Sequence, residues 1–163
     1  MITDERIASF INSFNNDYDD AITAIRKEAE EQGVPIIRRE AGEFIRLLLR
    51  MKKPVNILEI GTAVGFSAIF MSRFIAEGGH ITTIENYQPR IDRAKENIKL
   101  AGAEKKITLL EGDAMEVLPT LDEPYDFIFM DAAKGQYIHY MPEVMRLLKT
   151  GGSFACAGRN PAM

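Results

Sequence analysis

The stretch Val55-Asn56-Ile57-Leu58-Glu59-Ile60-Gly61-Thr62-Ala63-Val64-Gly65-Phe66-Ser67 limits the possible folds more than any other part of the chain. Ile57, Leu58 and Ile60 have the length and branching of a strand buried on both faces. The run then breaks into small residues. Gly61 and Gly65 permit a tight turn and a close backbone approach to a ligand, and Phe66 to Ile75 reads as a helix. Strand, glycine turn and helix open a nucleotide-type binding unit. The dinucleotide pattern G-x-G-x-x-G is not met, because Ala63 stands between the two glycines, and a pyrophosphate cradle is disfavoured. The turn offers instead Glu59 at the strand's end, which suits an ammonium group. Backbone N–H groups at the helix start and the Ser67 hydroxyl suit a carboxylate. An amino-acid moiety carries both.

The rest of the chain repeats this unit. After Val55 the expected strands are His80 to Glu85, Lys106 to Glu111, Phe127 to Asp131 and Ser153 to Ala157, the last following a Gly151-Gly152 turn. Helices are expected at Gln88 to Ala101, with Gly102 as C-cap signal, at Ala114 to Leu121 and at Tyr137 to Leu148. Alternating strands and helices joined by short loops imply an α/β fold: a doubly wound, mostly parallel, Rossmann-like sheet with helices on both faces. Residues 1–53 read as a helical segment ahead of an α/β core at 54–163, the two forming one domain. Ile7, Phe10, Ile11 and Phe14 define one amphipathic stripe, and Ile22, Ile25 and Ala29 a second that runs to Gly33. Val34 to Ile37 is an extended link. Phe44, Leu47, Leu48 and Met51 then form an apolar face that ends before Pro54. The N-terminal stripes must be buried over the ligand cleft or against a second copy of the chain.

In such sheets ligands bind beyond the carboxyl ends of the strands. The residues there are Glu59 to Gly65, Glu85-Asn86, Gly112-Asp113-Ala114 and Asp131-Ala132-Ala133-Lys134. Glu85 follows Gly61 by about the spacing at which an acid accepts ribose hydroxyls. Asp113 is placed to meet an adenine amino group. A nucleoside joined to an amino acid describes S-adenosylmethionine. Each acid also has a plain reading, as an N-cap for Glu85 and Asp113 and as a surface ion pair for Asp131 with Lys134. The functional alternative for that pair is a carboxylate that binds Mg²⁺ or Ca²⁺ beside a lysine that takes a proton. Arg38-Arg39, after the extended link, would line the cleft mouth and meet a phosphate. Cys156 reads as a small core residue.

Twenty basic against 24 acidic residues give a net charge of −4, so no domain-wide basic field for nucleic acid exists, although a local patch is compatible with it. No apolar run has the length of a membrane span. The N-terminus lacks the order of a signal peptide, and a single cysteine agrees with a reducing compartment. These features point to the cytoplasm.

Leu58-Glu59-Ile60-Gly61-Thr62-Ala63-Val64-Gly65-Phe66-Ser67-Ala68, taken with Glu85, Gly112-Asp113-Ala114 and Phe129-Met130-Asp131-Ala132-Ala133-Lys134, resembles the cation-dependent O-methyltransferases, which include catechol and caffeoyl-CoA O-methyltransferases. Asp131 to Tyr137 and Pro35-Ile36-Ile37 are similar to the bacterial branch that methylates 5-hydroxyuridine in tRNA. The resemblance implies S-adenosylmethionine held by Glu59, Gly61, Thr62, Gly65, Ser67, Glu85, Asp113, Ala114 and Asp131. It implies Mg²⁺ on Asp131, Lys134 as general base, and in-line methyl transfer to a hydroxyl of a small molecule or of a tRNA wobble uridine. The family's fifth strand ends in Asp-Asn, both metal ligands. Here those positions are Ala157-Gly158, and the family's two further strands and helix are not in the sequence. A truncated or frameshifted end, weakened Mg²⁺ binding and an open sheet edge are the expectations. The edge and the N-terminal helices would favour a homodimer. The rival readings are a cofactor-binding or dimerisation module without catalysis and, against the glycine pattern, a nicotinamide dehydrogenase.

Overall fold

The computed structural model describes Arg6, residues 18–132 and residues 134–157, without the side chain of Lys134. Five parallel strands form one sheet in the order β3-β2-β1-β4-β5: β1 Asn56–Ile60, β2 His80–Glu85, β3 Ile107–Glu111, β4 Tyr125–Met130 and β5 Leu148–Cys156. The helices are α1 Asp20–Glu31, α2 Arg39–Lys52, α3 Phe66–Met71, α4 Gln88–Leu100, α5 Ala114–Val117 and α6 Tyr137–Leu147. The chain builds outward from β1 to β3, then returns and builds the other way from β4. The strand order therefore reverses between β1 and β4, where open α/β sheets form their ligand crevice.

The two-residue period of a strand divides the core into two layers. Ile57, Ile81, Phe127 and Phe129 face Phe66, Phe70, Ile22, Ile45 and Leu49 on one side of the sheet. Leu58, Ile60, Ile84, Ile128 and Met130 face Ala114, Leu118, Tyr140, Val144 and Leu147 on the other. Both faces being covered explains why β1 and β4 read as nearly unbroken apolar runs.

The expected α/β fold and its strand positions are present, with local departures. The Ile7 to Phe14 stripe lies outside the described residues. The first βα helix stops at Met71 rather than Ile75, because the Ser72 hydroxyl donates to Ile69 O at 2.7 Å and the next N–H groups tighten into i→i−3 bonds. The helix from Ala114 becomes a 3₁₀ turn at Leu118–Thr120, which contains Pro119. β5 begins at Leu148, before the glycines. Its register jumps from Tyr125↔Leu148 to Phe127↔Ser153, so Gly151-Gly152 sit in a bulge within the strand and not in a turn ahead of it. Cys156 ends that edge strand exposed, not in the core. α2 buries Gly42, Ile45 and Leu49 and leaves Phe44, Leu47 and Met51 in solvent, the reverse of the expected face. Its sequence is apolar on two sides, and periodicity alone does not select between them. No helix among the described residues is long and apolar enough to cross a membrane.

Candidate functional site

The tips of β1, β2, β3 and β4 open onto one cavity of about 630 Å³ at the strand-order reversal. That is a size suited to a small organic ligand. Ile60, Gly61 and Ala63 line it from β1 and its loop, Glu85 and Asn86 from β2, and Gly112, Asp113 and Ala114 from β3. Asp131 and Ala132 contribute from the β4 tip, and Ala157 follows β5.

Turn chemistry builds the floor. Gly61 N–H and Thr62 N–H both donate to Ile84 O, at 3.0 and 3.1 Å, and fasten the loop to β2. Gly61 has φ +97°, and a Cβ there would lie 2.7 Å from Asp131 O, so only glycine lets β1 and β4 meet at their tips. Ala63 also takes a positive φ, 47°, which aims its N–H at Glu85 Oε2, 2.8 Å away. The other Glu85 oxygen accepts from Asn86 N at 3.2 Å and Tyr87 N at 3.1 Å. Glu85 thus caps two loops and still borders the cavity, where its remaining lone pairs suit hydroxyl donors. Asp113 is likewise both things: it N-caps α5 by accepting from Met115 N at 2.8 Å, and it lines the cavity. Tyr137 Oη donates toward Ala157 O at 3.1 Å and Met130 O at 3.4 Å, holding the β4 and β5 ends together.

Glu59 occupies a different place. The strand period turns it toward the α3 layer, and it is fully buried, off the cavity wall. Its Oε2 accepts from Thr83 Oγ1 at 2.5 Å, and Thr62 Oγ1 lies 2.6 Å from the same hydroxyl. Among the described residues its Oε1 lies within full hydrogen-bond geometry of no partner, the Ser67 hydroxyl being the other polar group that faces the carboxyl. Burial pushes the carboxyl up to about 8; the Ser67 and Thr83 hydroxyls oppose this, and the Asp131 and Glu85 charges add to it. Thr62 and Ser67 are buried too, and neither they nor Gly65 line the cavity.

Of the residues singled out from sequence, Gly61, Glu85, Asp113, Ala114 and Asp131 therefore share one cavity, while Glu59, Thr62, Gly65 and Ser67 form the layer beneath. The Lys134 backbone starts a 3₁₀ turn, Lys134–Gln136; its side chain and Gly158 lie outside the described residues. Arg38 and Arg39 do not line the cleft. Arg38 is exposed at the start of α2, and the Arg39 guanidinium stands 5.8 Å over the Tyr18 ring. Arg90, Gln136 and Tyr140 line the cavity without having been anticipated. The signal for the last two was their spacing of four, which puts them on one helical face. Burial, then the Asp113 charge, raises the Tyr140 hydroxyl above its ordinary value.

Among the described residues no three His, Cys, Asp or Glu side chains converge as a metal site. Asp131 has Ala132 and Ala157 as neighbours on the wall, and neither side chain offers a donor. Among the described residues this donor set does not fit a divalent cation, which takes six or more oxygens, several of them carboxylate.

Known proteins resemble the chain in sequence and fold. The chain is 33% identical over 153 residues to a catechol O-methyltransferase of Niastella koreensis, covering 90% of this chain and 69% of that one. It is 34% identical over 119 residues to caffeoyl-CoA O-methyltransferase 2 of Populus trichocarpa, covering 69% and 48%. The fold superposes with a TM-score of 0.85, at 27% identity, on the O-methyltransferase TomG of Streptomyces achromogenes in complex with SAM, covering 96% of this chain and 74% of that one. The chain thus spans between about half and two thirds of the curated relatives it matches. Because residues 15–158 match the family described as O-methyltransferase, the chain belongs to the O-methyltransferase family.

Proposed function

We propose that the cavity binds S-adenosylmethionine and serves methyl transfer to a hydroxyl oxygen of a catechol-like small molecule in the cytoplasm. The observation that carries this is the convergence of Glu85, Asp113 and Asp131 on one cavity beside the Gly61 turn. Acceptor-rich walls complement a ligand that presents ribose hydroxyls, an adenine amino group and a cationic centre. Bound S-adenosylmethionine supplies an electrophilic methyl group on a sulfonium.

In this reading Glu85 accepts the ribose hydroxyls, Asp113 the adenine amino group, and Ala114 borders the base. Gly61, Thr62 and Gly65 shape the loop that the amino-acid end approaches. Glu59 and Ser67 support that loop from below. Asp131 lines the cavity at its acceptor end, and Lys134, assigned by the resemblance, would take the hydroxyl proton while the sulfonium would supply the methyl group. The products are the methyl ether, S-adenosylhomocysteine and a protonated lysine. Alignment by the walls supplies most of the rate.

Calorimetric titration with S-adenosylmethionine, followed by a methylation assay, tests the proposal. The acceptor panel holds catechol, caffeoyl-CoA and hydroxyuridine-containing tRNA, each with Mg²⁺ and with EDTA. Binding together with methylation of catechol or caffeoyl-CoA is expected. Transfer to tRNA alone would move the acceptor to the wobble base. Absence of binding would overturn the assignment.

A further inference from the structure

The loop from Gly61 to Gly65 is fastened to β2 through Ile84 O and the Glu85 carboxylate, and α4 adds a second set of contacts. A Cβ at Gly65 would stand 3.5 Å from Ala94 Cβ. One turn further along α4, Asn97 Nδ2 donates to Val64 O at 2.8 Å. Asn97 is 2% exposed, and its Oδ1 has no hydrogen-bond partner among the described residues. The other buried residues of α4, Ile91, Ala94 and Ile98, are apolar. A leucine at 97 would extend that face, favour the helix more than asparagine does, and bury no orphan acceptor. What the amide supplies in exchange is a donor to the loop. The carbonyl that it holds lies between Ala63, at φ +47°, and Gly65, at φ +84°. A backbone of that kind, with a non-glycine residue at positive φ, persists only where its surroundings fix it.

We infer that Asn97 is a positioning residue: its bond to Val64 O holds the loop in the shape that presents Gly61 and Ala63 to the cavity. With the cavity read as the S-adenosylmethionine site, as proposed above, Asn97 sets the affinity for the cofactor without touching it. The side chain lies off the cavity wall and acts through the backbone of Val64. Loss of the bond frees the loop to leave that shape, and binding must then restore the order that Asn97 provides in advance. One such bond corresponds to about a 10-fold change in the dissociation constant.

Two variants remove the donor in different ways. Asn97→Leu deletes both polar atoms, and Asn97→Asp keeps the shape of the side chain while setting an oxygen against Val64 O. Hydrogen exchange in the unliganded chain reads the loop directly. The Ala63 and Gly65 amides, which flank Val64, should exchange about 10-fold faster in both variants, with the β1 and β4 amides as protected as in the wild type. Calorimetric titration should show S-adenosylmethionine bound about 10-fold more weakly. In the methylation assay KM for S-adenosylmethionine should rise by the same factor, with kcat and the KM for catechol unchanged, the pattern of binding lost equally from ground and transition states. Unchanged exchange at Ala63 and Gly65 in Asn97→Leu overturns the inference whether or not the cofactor binds. Faster exchange with unaltered cofactor affinity overturns it too, and leaves Asn97 a structural residue. A wild-type chain that does not bind S-adenosylmethionine overturns the reading of the cavity and with it the effect on affinity; the exchange rates still decide whether Asn97 holds the loop.

Discussion

Glu59→Gln turns the buried carboxyl into a measurable quantity. In the folded chain the group sits at about 8 against an ordinary 4.5. The folded state therefore holds its proton across a range in which the unfolded state has released it. The sign follows from linkage: where the folded state binds more protons, stability falls as pH rises. The loss begins near 4.5, grows by about 1.4 kcal/mol per pH unit and levels off above about 8, with a ceiling of ~5 kcal/mol. At ~2–4 °C per kcal/mol for a chain of this size, the ceiling corresponds to ~10–20 °C in Tm. A glutamine at this position is neutral at every pH. Its own effect, an amide in place of a hydroxyl beside Thr83, is a constant offset. Calorimetric Tm of both proteins at pH 5, 6, 7 and 8 gives the difference directly, and other titrating groups largely cancel in it. The glutamine variant should gain on the wild type steadily toward pH 8. A difference that stays flat, or that grows toward acid, would falsify the account of Glu59 as a carboxyl kept neutral by burial.

Three further perturbations follow from the same contacts. Gly61→Ala forces a Cβ against Asp131 O at a φ of +97°; a cost of about 2–4 kcal/mol is expected, and a Tm loss under ~2 °C would contradict it. Glu85→Gln can satisfy the Ala63 N–H or the Asn86 and Tyr87 N–H groups but not all three, because its amide nitrogen is a donor. It should cost about 1–3 kcal/mol and weaken S-adenosylmethionine binding in calorimetry, and unchanged affinity would remove Glu85 from the ligand. Asp126 accepts from Asn56 N, Lys149 Nζ and Val55 N, and these bonds hold it below its ordinary value. Its contribution is present above about pH 4 and lost as pH falls through the lowered value, so the Tm gap between wild type and Asp126→Asn should close on acidification. A gap independent of pH would show that its charge contributes nothing.

The fold was legible because burial on both faces leaves a strong trace. Ile57 to Ile60 and Phe127 to Met130 admit little but central strands, and Gly61 and Gly102 mark turns whose positive φ a side chain would strain. What was misread involved competition between two adequate local solutions. α2 presents Phe44, Leu47 and Met51 on one face and Ile45 and Leu49 on another, and only the sheet decides which is inside. Ser72 ends α3 through a hydroxyl bond that periodicity does not register. The strand pairing that opens at Gly151-Gly152 depends on β4, more than twenty residues earlier in sequence.

For the site, position at a strand tip was a sound guide to neighbourhood and a poor guide to direction. Glu85, Asp113 and Asp131 follow the last paired residue or close the strand, where the chain leaves the sheet and side chains reach the cavity. Glu59 lies one residue earlier than the tip of β1, and a shift of one residue in a strand moves a side chain to the opposite face. It consequently enters the α3 layer and bonds to Thr83, while Ile60, its neighbour, lines the cavity. The plain and functional readings of the remaining acids were never exclusive. Glu85 and Asp113 cap backbone N–H groups with part of their acceptor capacity, and those bonds lock the carboxylates against the cavity wall. Capping is thereby what preorganises them, so a substitution that removes the cap should cost stability and ligand affinity together.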